Sequence, residues 1–157
     1  MSANSFSIRA MIMALVVVFA PLAAVTDAYA GKPRYYTGYV RGVAVGGYDP
    51  VAYFTERKPV RGKKEFETKW DGVKWRFASA ENSDVFLKTP KKFAPQFGGY
   101  CAYAVGIGTT ARGNPRNWKI VNGKLYLNIT RGIQRTWERR QSHYIKAGNR
   151  NWPRVLR

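Results

Sequence analysis

The sequence predicts a small α+β domain in which two antiparallel hairpins form one sheet and two or three helices cover it. The hairpins are predicted by alternating apolar and polar runs that meet at Asp-Gly, residues 71–72, and at Asn-Gly, residues 122–123. Both dipeptides favour the tight turn that requires positive φ at two successive residues. Runs with helical spacing of apolar side chains follow each hairpin and predict the covering helices.

Residues 1–30 have the layout of a secretory signal peptide. Arg9 precedes a continuous apolar run over 10–25, and Ala28-Tyr29-Ala30 supplies the small residues of a cleavage site. The alternative is a membrane anchor, but a spanning helix needs about 20 apolar residues and this run is shorter. We therefore expect cleavage near Ala30 and a periplasmic or secreted protein.

Residues 31–42 are rich in Gly, Tyr and Arg without a clear period, which indicates an N-terminal arm. The main domain is expected over 43–153, with a basic tail at 154–157, and no internal repeat is visible. It begins with a short apolar strand at 43–45, and Asp49-Pro50 then favours a turn.

The first hairpin is predicted over 64–79. Ser79 is suited to cap a short helix that turns Phe86 and Leu87 inward. Pro90 ends this helix and begins another helical turn.

The second hairpin is predicted over 118–128 and is followed by one helix over about 130–147, which Gly148 would end. Four apolar residues fall on one side of this helix at helical spacing. They are Ile133, Trp137, Tyr144 and Ile145. Trp152 is expected to pack back on the domain.

Composition restricts the chemistry of the protein. The 157 residues include one Cys and one His, which excludes a disulfide scaffold and sites that need several imidazoles. The 27 Lys and Arg residues against 9 Asp and Glu give a net charge of +18. In an exported protein this charge favours an anionic envelope surface or an acidic protein as partner, and no nucleic acid is expected. The alternative is that the charge only maintains solubility.

Several ordered motifs resemble the YHS domain family, and specifically its exported, stand-alone bacterial branch. They are 47–54 (GYDPVAYF), 75–79 (WRFAS), 95–102 (PQFGGYCA), 125–128 (LYLN) and 151–153 (NWP). The resemblance extends over roughly residues 43–153. It implies a metal site in some relatives, which accompany heavy-metal transport ATPases and use cysteines between a strand and a helix. The corresponding segment here, 75–83, contains neither Cys nor His.

Cys101 is a lone thiol and the softest available ligand for copper or another soft metal. His143 is a second possible ligand if the last helix packs over the Cys101 loop. The alternatives are that Cys101 is a small buried hydrophobe and that His143 lies on the surface.

Four further residues are candidates for ligand binding around Cys101. They are Tyr48, Asp49, Tyr53 and Tyr100. Asp49 would orient a ligand beside phenol donors, or alternatively it stabilises the turn before Pro50 through side-chain-to-backbone hydrogen bonds.

A basic stripe on the last helix is a candidate for docking to an anionic surface. It consists of Arg131, Arg135, Arg139 and Lys146. The alternative is a solvated helix face.

The sequence therefore predicts an exported, non-enzymatic binding module for a soft metal or a small ligand near Cys101. The alternative is a basic, envelope-associated protein that docks to anionic lipid or an acidic partner without pocket chemistry. A Cys–His catalytic pair has no visible third residue to orient it.

Overall fold

The computed structural model describes residues 31–157, so the predicted signal peptide lies outside the described residues. The fold is α+β, as the sequence predicts. Among residues 31–157, no helix has both the length and the apolar character needed to span a membrane.

The helices and strands follow one another along the chain with short connections. They are α1 (Ala52–Thr55), β1 (Lys63–Trp70), β2 (Val73–Phe77), α2 (Ala80–Lys88), α3 (Pro90–Phe93), α4 (Ala102–Gly106), β3 (Asn114–Val121), β4 (Lys124–Asn128), α5 (Arg131–Arg139) and α6 (Gln141–Asn151). Short 3₁₀ turns lie at Ala44–Gly47, Gln96–Gly99 and Arg154–Leu156.

The two predicted hairpins form, but the prediction that they share one sheet is wrong. β1 pairs only with β2, and β3 pairs only with β4, so the described chain contains two separate two-stranded sheets. Each hairpin packs one aromatic side chain against the helix that follows it. Phe77 packs on Phe86 of α2, and Tyr126 packs on Trp137 of α5. Leu125 and Leu127 of the second hairpin also lie in one buried cluster with Phe77 of the first, so the hairpins share a core without sharing a sheet.

The helix after the first hairpin begins as predicted, because the Ser79 hydroxyl accepts a hydrogen bond from the Asn82 amide at 3.2 Å. Phe86 is buried, but the prediction that Leu87 also faces inward is wrong, since that side chain is 47% exposed. Successive residues on a helix point about 100° apart, so a nine-residue helix that buries Phe86 leaves its neighbour outside.

The single helix predicted over 130–147 is two helices. The backbone leaves helical geometry at Arg140, where φ is −134° and ψ is 41°, and α6 begins at the next residue. Gly148 lies inside α6 and does not end it. A methyl group at Gly148 would lie 2.6 Å from Cζ of Phe97, so this glycine permits close packing.

The segment at 43–45, predicted as a strand, instead enters the first 3₁₀ turn, in which Val45 has a φ of 53°. This turn ends in two glycines, and Phe97 occupies the same place in the turn at Gln96–Gly99, also with a φ of 53°. Gly46 and Gly98 follow with an identical φ of 59°.

These two turns begin an internal repeat that is not visible in the sequence. Residues 44–93, the first unit, and residues 96–151, the second unit, contain the same succession of a double-glycine turn, a short helix, a hairpin and two helices. Both hairpins also carry an irregularity in strand pairing near the start of their first strand. Few residues are identical at matching positions, which explains why the sequence conceals the repeat.

Backbone hydrogen bonds support the same correspondence. The amide of Tyr48 bonds the Val45 carbonyl at 3.1 Å, and that of Tyr100 bonds the Phe97 carbonyl at 3.0 Å. One residue further, the amides of Asp49 and Cys101 each bond a carbonyl at 2.9 Å, those of Val60 and Ala111 respectively. The units therefore place Tyr48 and Tyr100 at equivalent positions.

Candidate functional site

An open pocket of about 300 Å³ lies beside Tyr48, between the two units and the N-terminal arm. It is lined by Tyr39, Val40, Gly46, Tyr48, Arg61, Asn114, Pro115 and Arg116. The double-glycine turn delivers Tyr48 to this place, and a backbone bridge holds it opposite Arg61. The volume of this pocket is at the lower end of the range for small-molecule sites, which is about 300–1,000 Å³.

Two arginines converge on Tyr48 from different units. The Arg61 guanidinium lies 4.3 Å from the centre of the Tyr48 ring, and Nη1 donates a 3.2 Å hydrogen bond to the Gly46 carbonyl. Nε of Arg116 donates a 3.1 Å hydrogen bond to the Tyr48 hydroxyl oxygen. Within residues 31–157, neither arginine forms an ion pair with a carboxylate. The pocket therefore presents positive charge and N–H donors that suit a phosphate or a carboxylate.

Asp49 is fully buried and lies away from this pocket. Its Oδ1 accepts hydrogen bonds from the amides of Val51 at 2.8 Å and Ala52 at 3.3 Å. Its Oδ2 accepts bonds from the Ala78 amide at 2.8 Å and from Nδ2 of Asn82 at 2.7 Å. The carboxylate is thus occupied in joining the turn to the start of α2, which agrees with the turn-stabilising alternative.

Tyr53 is also fully buried, and its hydroxyl donates a 2.8 Å hydrogen bond to the Pro115 carbonyl. Burial, followed by the nearby Tyr48 and Asp49, raises the pKa of Tyr53 well above its usual value. This phenol therefore stays protonated and fixes β3 of the second unit beside α1 of the first. The Tyr53 hydroxyl therefore supports the wall of the pocket beside Tyr48 and offers no free hydrogen-bond donor to a ligand there.

Tyr100 lines a different pocket, and its hydroxyl donates a 2.8 Å hydrogen bond to the Pro33 carbonyl. Burial, with a smaller effect of Tyr36, raises the pKa of Tyr100. The predicted ligand-binding residues therefore do not share one pocket: Tyr48 and Tyr100 line different pockets, and Asp49 and Tyr53 line neither. Tyr48 and Asp49 occupy in the first unit the positions that Tyr100 and Cys101 occupy in the second.

Cys101 has no solvent exposure, and its Sγ lies 3.6 Å from Oδ1 of Asn128 as a donor. The same oxygen accepts a 3.2 Å hydrogen bond from the Tyr103 amide. His143 is exposed on α6. No group of three His, Cys, Asp or Glu side chains suited to a metal occurs among the described residues. Cys101 is therefore enclosed in the core, as in the alternative that it is a small buried hydrophobe.

The basic stripe predicted on the last helix is divided by the break at Arg140. Arg131 and Arg135 of α5 line a groove of about 510 Å³ beside Trp118 and Lys119 of β3. Arg139 is exposed and donates a 3.1 Å hydrogen bond to Oγ1 of Thr136. Lys146 belongs to α6, so it does not continue the stripe.

Arg61 and Arg116 were not among the site residues predicted from the sequence. Neither belongs to a recognisable motif. The usable signal is the recurrence of Gly-Gly-Tyr at 46–48 and 98–100. The backbone bridges of the two tyrosines pair Arg61 with Arg112, although Arg61 follows its tyrosine by one residue more than Arg112 does.

Comparison with known proteins finds one family to which part of the chain is similar. No curated protein and no solved structure gives a match to the chain. The family model described as the YHS domain matches residues 51–97, from the start of α1 into the second double-glycine turn. The matched segment therefore covers most of the first unit, and this part of the chain is similar to the YHS domain.

Proposed function

We propose that this protein is an exported, non-enzymatic binding module that takes a small ligand bearing a phosphate or carboxylate in the pocket beside Tyr48. The convergence of Arg61 and Arg116 on Tyr48, without a carboxylate partner in residues 31–157, is the observation that carries the proposal. Export is inferred from the signal-like sequence of residues 1–30.

The geometry favours binding over catalysis because the buried acid and phenol near the pocket are already engaged. Asp49 accepts four hydrogen bonds, and the Tyr53 hydroxyl donates to the Pro115 carbonyl. The groups that face the pocket are guanidinium donors and tyrosine rings. Such groups recognise charge and planar shape, and a guanidinium keeps its charge at neutral pH, so it does not act as a general base.

The test is a titration of the protein with inorganic phosphate and with phenyl phosphate. Binding is measured from the NMR chemical shifts of the tyrosine rings. We expect Arg61→Gln and Arg116→Gln each to weaken binding about tenfold, which corresponds to one lost charge-assisted hydrogen bond. Arg150→Gln is the matched control, because Arg150 is exposed on α6 and outside the pocket. Unchanged affinity in the double variant Arg61→Gln/Arg116→Gln would refute the proposal.

A second candidate function is docking to an anionic envelope surface through α5. The carboxylate of Glu138 on this helix lies 3.5 Å from Nζ of Lys119. Within the described chain, Arg131 and Arg135 are exposed and have no carboxylate partner. Planar guanidinium groups in this arrangement suit lipid phosphates.

Sedimentation with phosphatidylglycerol vesicles, against phosphatidylcholine vesicles, tests this second function. Binding should fall steeply as salt rises, and the triple change of Arg131, Arg135 and Arg139 to Gln should abolish it. Lys146→Gln, which changes a basic residue of α6, is the control. Equal binding by the triple variant and the control would exclude α5 as the docking surface.

A further inference from the structure

We propose that the pocket beside Tyr100 is a second anion-binding site, equivalent to the pocket beside Tyr48 through the internal repeat. The class of ligand rests on the proposed function, whereas the location rests on the fold. The second unit lies almost entirely outside residues 51–97, the segment that matches the YHS domain. The inference therefore gives a role to a part of the chain to which the family match assigns none.

The backbone places one tyrosine and one arginine in the same relation in both units. Tyr48 forms an antiparallel bridge with Arg61, and Tyr100 forms an antiparallel bridge with Arg112. Each tyrosine follows two glycines with positive φ, at 46–47 and 98–99. The arginine therefore reaches the surface beside the tyrosine in each unit.

The N-terminal arm adds a tyrosine to each pocket. Tyr39 lines the pocket beside Tyr48, and Tyr36 lines the one beside Tyr100. The Tyr36 ring meets the Tyr100 ring edge-on at 5.6 Å and the Tyr39 ring at 5.5 Å. The arm thus runs between the two pockets and supplies an aromatic wall to both.

The second pocket carries positive charge without a nearby acid. It has a volume of about 390 Å³ and is lined by Lys32, Pro33, Tyr36, Thr37, Gly38, Tyr100, Thr110, Ala111 and Arg112. In the described part of the chain, neither Lys32 nor Arg112 forms an ion pair. The Arg112 guanidinium lies 5.9 Å from the centre of the Tyr39 ring. A carboxylate or phosphate entering this pocket therefore meets two cations that no protein anion neutralises.

Differences between the pockets define the ligand preference of the second one. The Tyr48 hydroxyl accepts a bond from Arg116, whereas the Tyr100 hydroxyl is committed to the Pro33 carbonyl. The second pocket also has apolar walls from Pro33, Ala111 and the ring of Tyr36. We therefore expect it to take an anionic group attached to an aromatic ring or a short apolar chain, and to bind inorganic phosphate more weakly than the first pocket does.

The experiment is a titration of the protein with phenyl phosphate, read from assigned ring resonances of Tyr48 for the first pocket and Tyr36 for the second. Two binding events are expected. Arg112→Gln should weaken the event at Tyr36 about tenfold and leave the event at Tyr48 unchanged, whereas Arg61→Gln should do the reverse. Near-UV circular dichroism verifies that each variant is folded, and Lys32→Gln is a second variant of the Tyr36 site on the exposed arm.

The outcomes separate this inference from the proposed function. A single event at Tyr48 that only Arg61→Gln weakens would overturn the second site and leave the proposed function intact. A single event at Tyr36 that only Arg112→Gln weakens would support the second site and overturn the proposed function. Binding at neither tyrosine would overturn both.

Discussion

The carboxylate of Asp49 accepts a 2.7 Å hydrogen bond from the side-chain amide of Asn82, which joins the first double-glycine turn to the first turn of α2. The same oxygen accepts the Ala78 amide at 2.8 Å. Because Asp49 is fully buried, these bonds replace those that water would supply. Asp49 therefore fixes three segments of the first unit at once: its own turn, the end of β2 and the start of α2.

Replacing this carboxylate by an amide should destabilise the protein strongly. Asp49→Asn keeps one acceptor oxygen and places an NH₂ group against N–H donors, so at least one buried donor loses its partner. The expected cost is about 3 kcal/mol of unfolding free energy, typical of a lost hydrogen bond to a buried charged group. Urea denaturation at neutral pH measures it.

Asp84→Asn is the matched control for Asp49→Asn, because Asp84 is exposed on the neighbouring helix. Its unfolding free energy should stay within about 0.5 kcal/mol of the wild-type value. Equal urea midpoints for the two variants would contradict the structural role assigned to Asp49.

Local chemistry was sufficient to predict much of the fold. Asp-Gly and Asn-Gly specify their turns through the positive φ that they tolerate, and Asp71 and Asn122 indeed have φ values of 48° and 49°. Ser79 caps α2 through its own hydroxyl oxygen, so this helix start depends only on the local residue type. The hydrogen bonds that the Asp49 carboxylate accepts from the Val51 and Ala52 amides are equally local.

Long-range relationships were not predictable from one sequence. Whether two hairpins share a sheet depends on how residues far apart in the chain pack together, as Phe77 and Leu127 do in one buried cluster. The pocket beside Tyr48 likewise depends on Arg116, which comes from the other unit. The repeat was concealed because side chains have diverged at equivalent places, as Asp49 and Cys101 illustrate, while the backbone turns before them kept the same φ values.

The burial of Cys101 predicts an inert thiol. A disulfide reagent should modify it only after the protein unfolds, because Sγ is enclosed and contacts Asn128. Cys101→Ala should cost about 1 kcal/mol of stability, since a single small group leaves a packed core. It should leave ligand binding at Tyr48 unchanged. Rapid labelling of the folded protein, or loss of binding in the alanine variant, would show that Cys101 belongs to an accessible site.

Tyr35 makes the free energy of unfolding fall as the pH becomes alkaline. Burial and then the hydrogen bond to Asp71 raise the pKa of Tyr35 from 10.0 to about 12. Between these values the unfolded chain loses the Tyr35 proton while the folded chain keeps it. The stabilisation is therefore complete below pH 10 and is lost as pH rises toward about 12.

The measurement is the difference in unfolding free energy between the wild type and Tyr35→Phe at pH 9 and at pH 11. The wild type should lose more stability than the variant over this interval, because only the wild type carries the ionisable group at residue 35. Using the difference cancels the titration of lysines and of the other tyrosines. A difference that does not change with pH would contradict the raised pKa.

Gly98 should be required for docking of the N-terminal arm. Its φ is +59°, and a methyl group there would overlap the carbonyl oxygen of Arg34. Next to this contact, the Tyr36 amide donates a 2.9 Å hydrogen bond to the Gly98 carbonyl. Gly98→Ala should therefore displace the arm, expose the ring of Tyr35 and allow trypsin to cut after Arg34 in the otherwise folded protein.

Gly72→Ala separates this effect from backbone strain. Gly72 has a φ of +81° and no heavy atom within 4 Å of the added carbon, so the variant carries only the cost of positive φ, about 1 kcal/mol. Trypsin digestion and urea unfolding of the two variants can then be compared directly. Extra instability and early cleavage after Arg34 should occur in Gly98→Ala alone. Equal behaviour of the variants would mean that the arm does not depend on its contact with Gly98, and the aromatic wall it gives to both pockets would then need another anchor.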